Sequence, residues 1–244
     1  MERKTGSIVL IAALVCVLAP KCTGKESAAQ TLRAQERYTL SLELEFTRKS
    51  RRPLQRAVEF LLDAGPNGYA TGFLVGDGLV MTAYHVVSGD LSDSKKIILG
   101  FSPNDQLEVK VYVKGRQATV LKVDKEADLA LLSVEGSSKP TRTPAFQTAP
   151  SDNEKLLLIA RPNGDKIISQ GILYGLYKFR GMEYWSAKIE GRDGYSGSPV
   201  YNQKAEVVGI FSGYDWSQRL ALISPGTRAQ KLLEDYNADP KALK

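Results

Sequence analysis

From Gly68 onward the chain breaks into short apolar runs divided by Gly, Asp and Asn, and this spacing constrains its fold most. The first series reads TGFLVGDGLVMT, KKIILGF, LEVKVYVKG, ATVLKV and LALLSV. A polar stretch from Glu135 to Asp152, with three prolines, interrupts it. A second series follows: KLLLIA, KIISQGILYGLYKF, EYWSAKIEG, SPVYN, EVVGIFSG and RLALIS. Runs this short and this frequent predict an all-β chain, a barrel or a sandwich, because each run ends before a helix of useful length could form. Two series separated by a linker predict two β lobes.

Upstream, Leu40, Leu42, Leu44 and Phe46 alternate with Ser41, Glu43 and Glu45, the period of a half-buried strand. The segment RRPLQRAVEFLLDAGP reads either way. Leu54, Ala57, Val58 and Leu61 suit a helix started at Pro53, whereas Val58, Phe60 and Leu62 alternate like a strand. At the far end SPGTRAQKLLEDY predicts a helix over about 225–236, with Ser224 as N-cap and Pro225 in its first position.

With 244 residues, 43% of them hydrophobic and 25% charged, the chain can bury a sizeable core and is not a disordered polymer. Residues 1–24 read as a secretory leader: Arg3 and Lys4, then twelve apolar residues from Ile8 to Ala19, then small residues up to a cut after Gly24. The run is too short for a bilayer span, which takes ~20 apolar residues. An uncleaved leader acting as a short anchor is the alternative, and only in that form is a membrane a partner. Export to periplasm or medium is therefore expected. Loss of residues 1–24 lowers the formal charge from +6 to +4, and no Lys/Arg block marks a nucleic-acid partner. Cys16 and Cys22 both lie in the leader, so the mature chain is expected to have no disulfide. With one histidine left, a His/Cys zinc site is excluded, and no metal or other cofactor is expected.

That histidine, His85, sits in VMTAYHVVSG, where a strand should end and a short helix or turn begin. Taken alone it could be a buried imidazole filling space. Asp128, in ADLALLSV, opens a strongly apolar strand, an awkward place for a carboxylate unless it has a partner. An imidazole Nδ1–H is one such partner. Asp124 is its rival in a more polar turn. Ser196 lies in GRDGYSGSPVYN, between Gly194 and Gly197. Such turns also arise without chemistry. Yet a serine hydroxyl needs a base to become a nucleophile, and its oxyanion needs donors already in place. Glycines let the Gly194 and Ser196 amides converge on one point. The Ser–Asp–His order is impossible because His85 precedes Ser196, and G-x-S-x-G fails because Ser198 follows Gly197. An Asp–His–Ser order would need an acid before His85, such as Asp63 or Asp77, in a helix-rich α/β chain, and this chain is β-rich. His85, Asp128, Ser196 remains, with the first two in one lobe and the third in the other.

Three blocks now carry a resemblance: ATGFLVGDGLVMTAYHVVSG, ADLALLSV and GYSGSPVYNQKAEVVGIFSG. They resemble the His, Asp and Ser blocks of chymotrypsin-like (trypsin-fold) serine peptidases, in particular the HtrA/DegP-like enzymes and the staphylococcal glutamyl endopeptidases. The resemblance spans roughly residues 66–236 and implies a double β-barrel, trypsin-like, with the site between the barrels. It implies an N-terminal extension over 25–56 and a peptidase domain over 57–244. Barrel 1 is expected over about 57–137, with Ala57–Leu62 as its first strand, and barrel 2 over about 152–224. It implies an exported serine endopeptidase acting on polypeptides, with His85, Asp128 and Ser196 as triad and the Gly194 and Ser196 amides as oxyanion hole. An esterase using the same triad, or a silent trypsin-fold binding protein, are the alternatives.

The chain also departs from these relatives. Tyr195 replaces the aspartate that pairs with a new N-terminus in digestive members, so activation of that kind is not expected. Phe211 stands where glutamyl endopeptidases carry a histidine, so glutamate specificity in its usual form is not expected. Beyond the second barrel the chain continues for about one helix, so the PDZ domain of HtrA-like enzymes is not expected. For substrate contacts, Glu190 is expected at the base of the specificity pocket. Arg192 is a second candidate of opposite charge. Ser212, Gly213 and Tyr214 resemble the segment that pairs with substrate backbone, and Tyr214 would narrow the pocket mouth.

Overall fold

The computed structural model describes residues 32–33, 35–49, 65–136 and 144–239. The expected leader and the ambiguous Ala57–Leu62 segment lie outside these residues.

Seven strands build the first lobe: β1 (Thr39–Arg48), β2 (Gly68–Leu74), β3 (Leu79–Ala83), β4 (Leu107–Val113), β5 (Arg116–Gln117), β6 (Thr119–Asp124) and β7 (Leu129–Ser133). They form one antiparallel sheet in the order β5-β4-β1-β2-β3-β7-β6. The second lobe is a closed barrel, β10-β13-β12-β11-β8-β9. It comprises β8 (Lys155–Ala160), β9 (Ile167–Phe179), β10 (Met182–Ala187), β11 (Pro199–Tyr201), β12 (Val207–Asp215) and β13 (Leu220–Pro225). Among the described residues only the second lobe closes its ladder. The first curls as an open sheet, a half-barrel.

β1 shows why the boundary expected at residue 57 falls too late. Its alternation buries Leu40, Leu42, Leu44 and Phe46, and both its edges are paired, with β2 and with β4. A strand with one apolar face and two paired edges belongs in a sheet interior, so part of the expected extension is structural.

Two other segments depart from expectation. KKIILGF does not extend a strand, because Asp93–Ile98 is a helix. Ser92 caps it, its Oγ accepting from the Lys95 amide at 3.4 Å, and this local cap prevails over the β preference of Ile97 and Ile98. Both isoleucines remain exposed, at 60% and 81%. The C-terminal helix runs over Gly226–Asn237. Ser224 does not cap it: the residue lies within β13 opposite Ile210, its hydroxyl buried and without a partner among the described residues.

Three apolar clusters hold the molecule. One lies inside the first sheet, around Leu42, Leu44 and Leu132. Another fills the barrel, around Leu158, Leu173 and Phe211. The third joins the lobes: Phe73, Met81, Leu129 and Leu131 of the sheet meet Ile159, Tyr201 and Ile210 of the barrel and Leu232 of the helix. β7 feeds the first cluster through Leu132 and the third through Leu129 and Leu131, so its sequence reads as an unbroken apolar run. Each such buried leucine contributes roughly 1.5–3 kcal/mol.

Candidate active site

β3 ends at Ala83 and a five-residue helix, Tyr84–Ser88, carries His85. Asp128 precedes β7 with φ +52°, a left-handed conformation that Asp tolerates better than most residues. That turn puts its side chain under the helix. Asp128 Oδ1 accepts from the His85 amide at 2.8 Å, and Oδ2 lies 2.8 Å from His85 Nδ1. The Tyr84 amide donates to the Asp128 carbonyl at 3.0 Å. Asp124, the rival carboxylate, is taken by Arg228 of the C-terminal helix through two bonds of 2.9 and 2.8 Å.

On the opposite lobe, Ser196 Oγ lies 2.8 Å from His85 Nε2. An ionised carboxylate only accepts, so Nδ1 is the donating nitrogen toward Asp128, and Nε2 of the neutral ring accepts from the serine hydroxyl. The order of donors thus aims the free lone pair of the imidazole at Ser196. Ser212 Oγ adds a third donor to Asp128, on Oδ2. Beside it Tyr184 is buried, and that burial, followed by the Asp128 charge, pushes its phenol above the usual range.

The turn before Ser196 has the geometry of a type II turn. The Tyr195 amide donates to the Arg192 carbonyl at 3.2 Å, and Gly194 has φ +84°. Only glycine adopts that conformation cheaply, and a Cβ there would also meet Pro162 at 2.6 Å. The Gly194 carbonyl faces away from the cleft, accepting from Thr71 Oγ1 at 2.8 Å. The Ser196 carbonyl accepts from the Thr71 amide at 2.9 Å. Among the described residues the Gly194 and Ser196 amides have no hydrogen-bond partner. Gly197, φ +84°, packs where a Cβ would overlap the Thr71 carbonyl and the Thr82 hydroxyl. Tyr195, 1% exposed, sits edge-on to Phe211 at 6.1 Å and anchors the turn in the barrel core.

Two cavities flank the His85–Ser196 pair, each of about 480 Å³. One is lined by Ser212, Gly213 and Tyr214 with the β9–β10 residues Phe179 and Met182. The other is lined by Leu44, Phe46, Val86 and Ile98, with Lys95, Arg192 and Asp193 also on its wall. Residues 212–214, the segment expected to pair with substrate backbone, thus line the first cavity and not the second. Tyr214 packs on the backbone at Gly191, where a Cβ would come within 2.7 Å of it. Its ring meets Trp216 at 4.7 Å, edge to face.

Glu190 is not at the base of a pocket. Its side chain is 71% exposed and pairs with Arg192 at 3.2 Å, so the two charges largely answer each other in solvent. Arg192 instead lines the second of the two cavities, with Phe46 and Lys95. His85, Asp128, Ser196, Gly194, Ser212, Gly213 and Tyr214 gather around one cleft. Sequence reasoning missed Thr71, whose hydroxyl lies behind the turn, and the bond from Ser212 to Asp128. A buried threonine in a strand carries no sequence mark that would reveal such a role.

The chain is similar to known proteins. A probable periplasmic serine endoprotease, DegP-like, from Ectopseudomonas mendocina is 29% identical over 184 residues, 71% of this chain and 36% of that protein. A protein of the same description from Pseudomonas putida is 31% identical over 148 residues, 58% of this chain and 28% of its own length. The chain thus spans about a third of the length of the relatives it matches. Among solved structures, the active form of the Rv3671c protease of M. tuberculosis aligns with a TM-score of 0.58 at 17% identity, over 96% of this chain and 92% of the other. The serine endoprotease from Yersinia pestis aligns at 0.56 and 17%, over 85% and 65%. At such identity these two speak for the fold alone. The trypsin-like peptidase domain itself matches residues 70–210, more than half the chain and the stretch from β2 to β12 that holds all three linked side chains. On that match the chain belongs to the trypsin-like peptidase family.

Proposed function

We propose that this chain is a serine endopeptidase, exported and acting on polypeptides. The observation that carries the reading is the unbroken relay of 2.8 Å contacts from Asp128 through His85 to Ser196, beside two unengaged amides. Ser196 Oγ attacks the peptide carbonyl carbon while His85 Nε2 takes its proton. The Gly194 and Ser196 amides hold the oxyanion. Asp128 fixes the imidazole tautomer and stabilises the imidazolium. His85 then returns the proton to the departing amine, leaving an acyl-Ser196 ester, and water repeats the sequence to release the acid. On the acyl side, Ser212–Tyr214 pair with substrate backbone and the Tyr214 ring limits the side chain that fits. Export rests on the leader-like N-terminus and on relatives named periplasmic.

The test is labelling of the full chain with a fluorophosphonate probe, beside Ser196→Ala and His85→Ala. Labelling of the wild type alone is the expected result. A folded wild type that takes no label would overturn the reading in favour of a silent binding protein. Labelling with turnover of esters but of no peptide would point to an esterase.

A further inference from the structure

A third cavity, of about 540 Å³, opens next to the one lined by Phe46 and Arg192, which the peptidase reading puts on the leaving-group side, and the two share Tyr69 and Asn163 in their walls. We infer that it binds a carboxylate carried by the leaving-group part of the substrate, a few residues beyond the scissile bond. This rests on the peptidase reading above, which supplies the direction in which a peptide crosses the cleft.

The walls carry three cations, Arg37, Lys114 and Arg161, and one carboxylate, Glu43. Among the described residues none of the three cations has an ion-pair partner, and Glu43 stands beyond ion-pair distance of all of them. Arg161 is the most telling. Its guanidinium donates only to backbone carbonyls, that of Glu36 at 3.2 Å and that of Gly164 at 3.4 Å. Its Nε is buried with no partner. The nearby carboxylate of Glu36 is taken by Lys166 at 2.9 Å. A guanidinium whose acceptors are all neutral leaves its charge unanswered, and an anion in the cavity would answer it. Its planar fork suits a carboxylate, and three like charges in a concave wall concentrate anions. The Glu/Asp side chain and the C-terminus of a peptide offer the same group.

The shared wall makes a peptide the fitting carrier. Phe46 shares the leaving-group cavity with Ser196, Tyr69 and Asn163 line both cavities, and Arg161 lines the third alone. A carboxylate there is read after an apolar stretch, and the site discriminates substrates without touching the scissile bond.

The experiment uses internally quenched peptides identical on the acyl side, with Glu or Gln on the leaving-group side, each ending in a free carboxylate or an amide. In parallel, binding of the leaving-group segments to Ser196→Ala protein is measured by fluorescence anisotropy, which needs no turnover. The expected kcat/KM ratio of acidic to neutral peptide is about ten-fold, shrinking as salt is raised. Arg161→Gln and Arg37→Gln should bring the ratio toward one. Lys114→Glu, on the exposed turn between β4 and β5 where folding is not at stake, should bring it down too. Whichever arm shows the preference, side chain or C-terminus, names the source of the carboxylate. Cleavage of all peptides at one rate, with equal binding of charged and neutral segments, would overturn the inference and leave the peptidase reading standing. Carboxylate-dependent binding to Ser196→Ala protein, with a wild type that cleaves nothing, would uphold the site and overturn the peptidase reading. No cleavage and no charge-dependent binding would overturn both.

Discussion

Asp128 meets three donors at once, the His85 amide, His85 Nδ1 and the Ser212 hydroxyl. Asp128→Asn keeps the size but presents an amide that can donate, which inverts the tautomer of His85 and turns Nε2–H toward Ser196. We expect kcat to fall about 10⁴-fold with KM little changed, read by steady-state hydrolysis of a peptide substrate. An intact circular-dichroism spectrum would separate this from unfolding. The three linked residues were legible because histidine occurs once and because the order His, Asp, Ser leaves few alternatives. Their supports were not legible. Ser212 was singled out for its backbone and contributes a hydroxyl to Asp128, and Glu190 was expected inside a pocket but is drawn into solvent by its neighbour Arg192. Sequence spacing states which residues share a turn, not which way each side chain leaves it.

At the scale of elements, the β12–β13 hairpin is held by Asp215. Its carboxylate accepts from the Ser217 hydroxyl at 2.7 Å, the Ser217 amide at 2.9 Å and the Tyr177 hydroxyl of β9 at 2.8 Å. The Ser217 hydroxyl first, and then Tyr177, hold the Asp215 pKa below the ordinary carboxylate value. The folded value therefore lies below the unfolded one of about 3.9. Such a group stabilises the fold above the unfolded value, and the contribution is lost as pH falls through the folded one. The melting-temperature gap between wild type and Asp215→Asn should be full well above the unfolded carboxylate value and close as pH falls through the folded one; a gap independent of pH would show the carboxylate charge to be idle. Most strands were legible as runs broken by Gly, Asp and Asn. The failures were local: a serine cap turned KKII into a helix, and strand pairing claimed Ser224 before the helix could use it.

At the scale of the whole molecule, the third cluster ties the fate of the lobes together. Leu131, fully buried, faces barrel residues across that cluster. Leu131→Ala should cost about 2–5 kcal/mol and shift a single calorimetric transition downward for both lobes. Two transitions, only one of them displaced, would show that the lobes unfold apart. The two-lobe plan was legible from the two series of runs around a polar linker. The open ladder of the first lobe, and the membership of β1 in it, depend on pairings between distant segments. Alternation in one strand cannot say which neighbours it will find.

Thr71 has a consequence for how such a molecule can change by recombination. A residue of the first lobe supplies the donors for the Gly194 and Ser196 carbonyls, and Gly197 has room for no side chain because Thr71 and Thr82 press against it. Neither lobe alone owns the Ser196 turn. A chimera that takes its halves from two parents inherits working halves only if the seam matches, since the strand bearing Thr71 and the turn bearing Gly197 must come as a matched pair. The smallest exchangeable part of this protein is a set of contacts from both ends of the chain, and not a lobe.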